Sequence, residues 1–424
     1  MRWTRAAGRG LLVAALIGAG YVGYTATGAE PRQTGGRGPM TLVTGGDLTG
    51  YLDGVLKDWN RAHPAEKVTL VELPEAADEV RAQMSTSLRS GSDRYDVLNI
   101  DVAWTSEFAA EGWISPLNAD RFPIKTFLPP VVETATFDGH LYALPYVTNA
   151  GLFYYRKDIL EKEGEKPPRT WAELERLAKT LAPKYGLDGY AGQFLPYEGL
   201  TVNAAEAVQS QGGSILVDEG KRVTVDSPAA RRALEFLADG VREGWIPKEA
   251  LTYKEEESRK AFQEGRLLFL RNWPYVHALA NGADSAVAGK FGVVPLPGTR
   301  DHAAGILGGS NLAINANSRH HASANDLLAY LTSDRVQRQV LADGGLPPVR
   351  ADLYSDPALI RQYPYLPTLR EAVLAAKPRP KSPRYDQVNL AVQAVVHDVM
   401  AQRETPDSAI ARLKRELEAI ARRG

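Results

Sequence analysis

Apolar positions follow two rhythms along this chain, and the switches between them mark its elements. Thr41-Leu42-Val43-Thr44 is a short β-prone run that ends in Gly45-Gly46-Asp47. From Thr49 the apolar residues Leu52, Val55, Leu56 and Trp59 return at helical spacing, and the pattern stops at His63-Pro64. Val68–Leu73 alternates as a strand, Ala77–Arg89 repeats as a helix, and Tyr95–Ile100 reads as the next strand. Strand, helix, strand, helix, strand is the order of a parallel sheet, whose ligands gather at the carboxyl ends of its strands. Asp101 stands at such an end, and Asp47 sits in the loop after the first strand. Either carboxylate can accept hydrogen bonds from ligand hydroxyls. Asp101 also fits the N-cap of a helix, and its residue type alone does not separate the two roles.

The middle of the chain is organised around Leu141–Leu160, LYALPYVTNAGLFYYRKDIL. A β-prone run breaks at Pro145, passes through Thr148-Asn149-Ala150-Gly151, and resumes as Leu152–Tyr155 before a charged helix start. Such a strand leaves one packed body and enters another, with Asn149 in the crevice between them. Beyond it, Thr170 and Glu173 have the spacing of a capping box, and Pro228 opens a helical pattern over Ser227–Glu243. Tyr197 and Glu198 fall on a loop before a helix. The apolar strand Leu267–Leu270 runs into Arg271-Asn272-Trp273-Pro274-Tyr275, where two large rings suit the apolar C–H faces of a sugar. Trp273 fits a plain core position as well. Gly305–Ile314 is a glycine-rich entry to a strand, which lets backbone approach a ligand closely. Arg350 follows Pro347-Pro348-Val349 and can hold a hydroxyl or an acid, or pair on the surface. Leu390–Ile420 is amphipathic helix, interrupted near Thr405-Pro406.

Composition narrows the function. A chain of 424 residues exceeds one ordinary core, so two lobes are expected. Fifty Lys and Arg against 51 Asp and Glu, well mixed, argue against a nucleic-acid partner. With no cysteine, disulfides, thiolate metal sites and Cys nucleophiles are excluded. The seven histidines lack metal spacing, and there is no GxSxG, P-loop or HExxH, so no catalytic residue, cofactor or metal is assigned. At the N-terminus, Arg2, Arg5 and Arg9 precede the apolar run Leu11–Ile17, the layout of a secretory signal. Extended to Ala26, the same stretch fits an uncleaved membrane anchor, and Glu30–Pro39 reads as a flexible spacer.

Six segments carry a more specific pattern: Asp101–Leu117, Leu141–Leu160, Tyr197–Leu200, Arg271–Tyr275, Leu307–Ile314 and Arg350–Tyr354. In order and spacing they resemble the extracellular solute-binding proteins of sugar-importing ABC systems, in the trehalose- and maltose-binding branch. The resemblance runs through Thr41–Arg422. It implies a periplasmic-binding-protein-like α/β fold, two lobes joined by hinge crossings with the ligand cleft between them. The expected division is 1–39 as signal or anchor plus spacer, 40–147 with 309–334 as the first lobe, and 148–308 with 335–424 as the second. It also implies ligand contacts from Asp101, Asn149, Glu198, Trp273, Tyr275, the Gly309 backbone and Arg350, beside Asp47 and Tyr197.

Three positions depart from the pattern. Ser310 stands where relatives commonly carry Trp, Val147 where an aromatic is frequent, and Val80 where a polar residue is expected. A lost aromatic platform or polar contact weakens sugar binding by ~1–3 kcal/mol.

The implied function is capture of a saccharide outside the cytoplasmic membrane, for delivery to the transmembrane subunits of an ABC permease. A monomer is expected, with membrane contact only through an uncleaved N-terminus. Two other readings stay open. Asp101 and Glu198 offer the carboxylate pair of a glycoside hydrolase. The three departures, with no Cys to carry a lipid, fit a degenerate binder acting as an anchored sensor or scaffold.

Overall fold

The first parallel unit forms as its pattern requires. In the computed structural model, Met40–Gly45 (β1), Tyr51–Ala62 (α1), Val68–Leu73 (β2), Ala77–Arg89 (α2) and Val97–Asp101 (β3) follow in that order. β1 pairs in parallel with both β2 and β3, with Met40 opposite Val68 and Leu42 opposite Val97. Leu42, Val43, Val97, Leu98 and Ile100 are fully buried because helices cover the sheet, which is why β3 reads as a continuous apolar run. The structure describes residues 36–46, 50–74 and 76–423. Asp47 and the N-terminal signal or anchor segment lie outside the described residues. Among the described residues, no helix is long and apolar enough to cross a membrane.

The chain then changes sheets. Ala143–Ala150 (β4) belongs to the first sheet and Leu152–Arg156 (β5) to the second, with Gly151 alone between them. Pro145, expected to break the strand, lies inside β4. It is tolerated because β4 is an edge strand and bulges right beside it: Ser310 faces Val147 and Asn311 faces Pro145, so the ladder skips Tyr146. Asn149 is therefore still a first-sheet residue, opposite Gly308.

The second body is built from Trp171–Tyr185 (α3), Asp188–Ala191 (β6), Glu198–Ser210 (α4), Pro228–Arg242 (α5), Glu255–Gln263 (α6), Leu267–Asn272 (β7) and Phe291–Val294 (β8). α3 carries the expected capping box: Thr170 accepts from Glu173 N–H, and the Glu173 carboxylate accepts from Thr170 N–H. This sheet has the order β8-β5-β7-β6, with β5 antiparallel to both of its neighbours.

Leu307–Ile314 (β9) returns to the first sheet, completing the order β2-β1-β3-β9-β4. The remaining helices divide between the lobes. Asp334–Gly344 (α7) packs on α1, and Leu366–Ala375 (α8) packs on β4. Tyr385–Met400 (α9) packs on α4 and α5, and Pro406–Ala421 (α10) packs on α5 and α9. The expected division gave all of 335–424 to the second lobe. In the structure the stretch up to α8 covers first-lobe elements, and α9 begins the return. Residues 377–384 form this third crossing, zipped to the second, 295–306 between β8 and β9, by Lys377 N–H donating to Gly305 O and Leu307 N–H donating to Lys377 O.

Candidate ligand-binding site

A cavity of about 400 Å³ opens where the two lobes face each other. The first lobe contributes the carboxyl ends of β1 and β3, Gly45, Gly46 and Asp101, with Tyr51 of α1 and Val80 of α2. The second contributes Tyr197 and Glu198 at the start of α4, Glu255 at the start of α6, and Trp273 and Tyr275 just past β7. Asn149, Gly308, Gly309, Ser310 and Arg379 reach it from the crossings and their flanking strands. The sheet ends gather here because parallel strands direct their C-terminal loops to one side.

Asp101, Asn149, Tyr197, Glu198, Trp273, Tyr275, Gly309 and Ser310, all singled out from the sequence, come together on this wall. Asp101 lines the cavity and is not a helix N-cap: the next helix starts at Thr105 with Trp104 at its cap, and Asp101 Oδ1 accepts from Ala103 N–H at 2.8 Å in the turn before it. Asn149 Oδ1 is buried without a hydrogen-bond partner, so the site holds an unused acceptor. Gly309 adopts φ +110°, and a Cβ there would lie 2.1 Å from Val147 O, so only glycine fits this backbone. Val80, Val147 and Ser310 also line the cavity, with Val147 and Ser310 paired across β4 and β9.

Arg350 is placed elsewhere. It does not line the cavity, and its guanidinium pairs with Asp352 at 3.2 Å and approaches Asp334 at 3.9 Å. Its backbone bridges to Phe127, which holds this loop on the first lobe.

The cation that does reach the cavity is Arg379, on the third crossing. Nη1 donates to Glu198 Oε1 at 2.6 Å, and Nη2 donates to Asp101 Oδ1, so one guanidinium holds a carboxylate of each lobe. Tyr385 O–H also donates to Glu198 Oε1. Burial pushes the Glu198 carboxyl up to about 7, and the nearby Asp101 charge adds to this against the pull of Arg379. Burial works against the charged Arg379 guanidinium, but the two acids outweigh it and hold it above its usual value. Pro378 and Pro380 flank Arg379 and restrict its backbone, the one signal in the sequence that this arginine is held in place. Sequence reading also missed Glu255. It accepts from Tyr197 O–H at 2.6 Å and from Trp273 Nε1–H at 3.4 Å.

Chemically, the site offers carboxylate and amide acceptors beside aromatic rings, which suits a ligand rich in hydroxyl donors with apolar C–H faces. No cluster able to hold a metal ion occurs among the described residues.

Comparison with known proteins gives the class. Residues 45–338 match bacterial extracellular solute-binding proteins, and the chain belongs to that family. It is 34% identical to a probable ABC transporter-binding protein of Deinococcus radiodurans over 84% of this chain and 87% of that one. It is 26% identical to the mannitol-binding protein of Pseudomonas aeruginosa over 71% of each. The solved structure of maltose-bound MalE3 of T. maritima superposes with a TM-score of 0.85 at 35% identity, covering 90% of this chain and 99% of that one. The acarbose-binding GacH receptor of Streptomyces glaucescens has the same fold, with a TM-score of 0.81 at 23% identity over 91% of this chain and 99% of that one.

Proposed function

We propose that this protein is the extracytoplasmic substrate-binding component of an ABC transporter, capturing a saccharide or polyol between its lobes and delivering it to the permease. The observation that carries this reading is the composition of the cavity. Acceptors from the first lobe (Asp101) and the junction (Asn149) face the rings of the second lobe, Trp273 and Tyr275. A ligand touching both sets gains its full contacts only when the lobes are together, so binding favours the joined form. The names of the relatives point the same way: one is an ABC transporter-binding protein, one binds mannitol, and one was solved with maltose. Within this class we favour a trehalose- or maltose-like disaccharide or a related glycoside. The lobes divide near Gly151, Ile306 and Arg379, the protein acts as a monomer, and the N-terminal segment directs export or anchors it.

A hydrolase fits less well. A retaining or inverting glycosidase needs its two carboxyls on opposite sides of a scissile bond. Here the Arg379 guanidinium occupies the space between Asp101 and Glu198.

Thermal unfolding against maltose, trehalose, mannitol and single-ring sugars tests the proposal. A ligand at about a hundred times its dissociation constant stabilises the fold by about 2.7 kcal/mol, a readily measured shift. A shift with one of them names the substrate class. No shift with any of them, from a well-folded sample, sinks the saccharide assignment.

A further inference from the structure

We propose that the buried ion pair Glu206–Arg271 positions the Trp273 ring of the cavity and ties that ring to the two neighbouring lobe crossings. Arg271 is 1% and Glu206 3% exposed at the side chain. Arg271 Nε and Nη2 each donate to Glu206 at 2.6 Å, and Nη1 donates to Gln193 Oε1 at 2.9 Å. Gln193 is itself fixed, its Nε2 donating to Ser258 Oγ and to Arg271 O, each at 3.0 Å. Replacing such a pair with well-packed apolar side chains is often no less stable, so stability alone does not account for it. Its surroundings suggest a positional role.

On one side, the Arg271 guanidinium stacks over the Trp273 ring, its carbon 4.1 Å from the ring centroid. The same ring lies against β9 of the first lobe, where a Cβ on Gly308 would come within 2.9 Å of it. On the other side, Glu206 Oε1 accepts from Ile306 N–H at 3.0 Å, at the second crossing. Gly151, the single residue of the first crossing, leaves no room beside the pair. A Cβ there would meet Glu206 Oε1 at 2.2 Å and Arg271 Nη2 at 2.7 Å. Glu206 thus senses both crossings and Arg271 carries the aromatic ring, so a change in the hinge moves the ring with it. Arg271 and Glu206 are positioning residues, and their effect on affinity rests on the reading that this cavity takes the ligand.

The test uses the full chain labelled with fluorotryptophan, with the Trp273 resonance assigned by Trp273→Phe. Gly151→Ala presses on the pair without touching Trp273, and Glu206→Gln removes the charge at nearly constant shape. In sugar-free protein both variants are expected to shift the Trp273 fluorine resonance while those of Trp59 and Trp113, in the first-lobe core, stay in place. Small-angle scattering is expected to show an altered radius of gyration for Gly151→Ala. With maltose as probe, affinity is expected to fall by ~10-fold. If one variant does not fold, the other decides. A Trp273 resonance that stays put in a folded variant overturns the proposal, whatever maltose does. Wild-type protein that ignores maltose counts against the ligand assignment alone, since resonance and radius are read without sugar.

Discussion

Asn389 Nδ2 donates to Asp78 Oδ1 at 3.2 Å, joining α9 of the second lobe to the first turn of α2 in the first. Thr201 Oγ1 donates to Asn389 Oδ1 at 2.5 Å and orients that amide. Burial raises the Asp78 carboxyl above its usual range, against the pull of Gln393, Asn389 and the Glu198 backbone beside it, so groups of one lobe surround a carboxylate of the other. One turn on, Arg81 is held by Glu107 and reaches Asp386 of α9 at 3.5 Å. The contacts to Asn389 and Asp386 exist only while the lobes meet, and they involve no sugar.

Asp78→Ala should therefore shift the resting protein toward an open form. The lost hydrogen bond to a charged acceptor is worth about 1–3 kcal/mol, discounted because water takes its place once the lobes part. Small-angle scattering of sugar-free protein should show a larger radius of gyration, and sugar affinity should fall by ~10-fold. An unchanged radius would mean that the latch does not set the resting state.

Arg379 has a stronger effect because it neutralises two acids at once. Arg379→Met leaves Asp101 and the buried Glu198 carboxylate facing each other, and removing one partner of a buried pair costs about 3–5 kcal/mol. Arg379→Lys keeps the charge but not the planar fork, so it cannot hold both acids in the same way. Calorimetric titration should show loss of sugar binding in the Met variant and partial retention in the Lys variant. Equal affinity in all three proteins would remove Arg379 from the site.

Glu198 makes stability depend on pH. Its carboxyl rises from 4.5 to about 7 in the folded protein, chiefly through burial. Between those values the folded state holds a proton that the unfolded chain has already released. Stability is therefore greatest at the low end of this window, falls as pH rises through it, and levels off above it. At ~1.4 kcal/mol per unit the whole effect is about 3 kcal/mol at most. Glu198→Gln cannot titrate, so the melting temperature of wild type should fall relative to that of the variant from about pH 5 to about pH 8. Parallel melting curves across that range would show that Arg379 keeps the carboxylate ionised throughout.

Much of this arrangement was legible in local pattern. β1 to β3 announce themselves because each strand is bounded by a helical repeat, and the Thr170–Glu173 box marks a helix start within a few residues. Trp273 and Asp101 stand out because their chemistry is unusual for the ends of apolar strands. Arg379 was not legible, because its partners lie 278 and 181 residues away in sequence and no periodicity surrounds it. Arg350 attracted the role instead, through its place in a segment resembling sugar binders, although its loop is held on the first lobe by Phe127. Pro145 looked like a strand break because the edge position of β4 and its bulge at Tyr146 show only against a partner strand more than a hundred residues on. Long-range pairing decides each of these cases, and a local reading cannot see it.

The departures from the sugar-binder pattern test what the cavity admits. Ser310 pairs with Asp101 on one side and Val147 on the other, so all three sit side by side on the first-lobe wall. A small hydroxyl and a short aliphatic side chain there leave space that an aromatic ring would fill. Ser310→Trp places a ring beside Asp101 in a cavity of about 400 Å³, so it should exclude a longer glycoside before it excludes a disaccharide. Stacking adds about 0.5–1.5 kcal/mol where the ring meets a sugar face, while overpacking costs about 1–3 kcal/mol where it does not. The ratio of maltotriose to maltose dissociation constants, measured by calorimetry in wild type and variant, should therefore rise on substitution. A ratio that stays constant, with both affinities intact, would mean that residue 310 faces no part of the bound sugar and that selectivity is set on the Trp273 side.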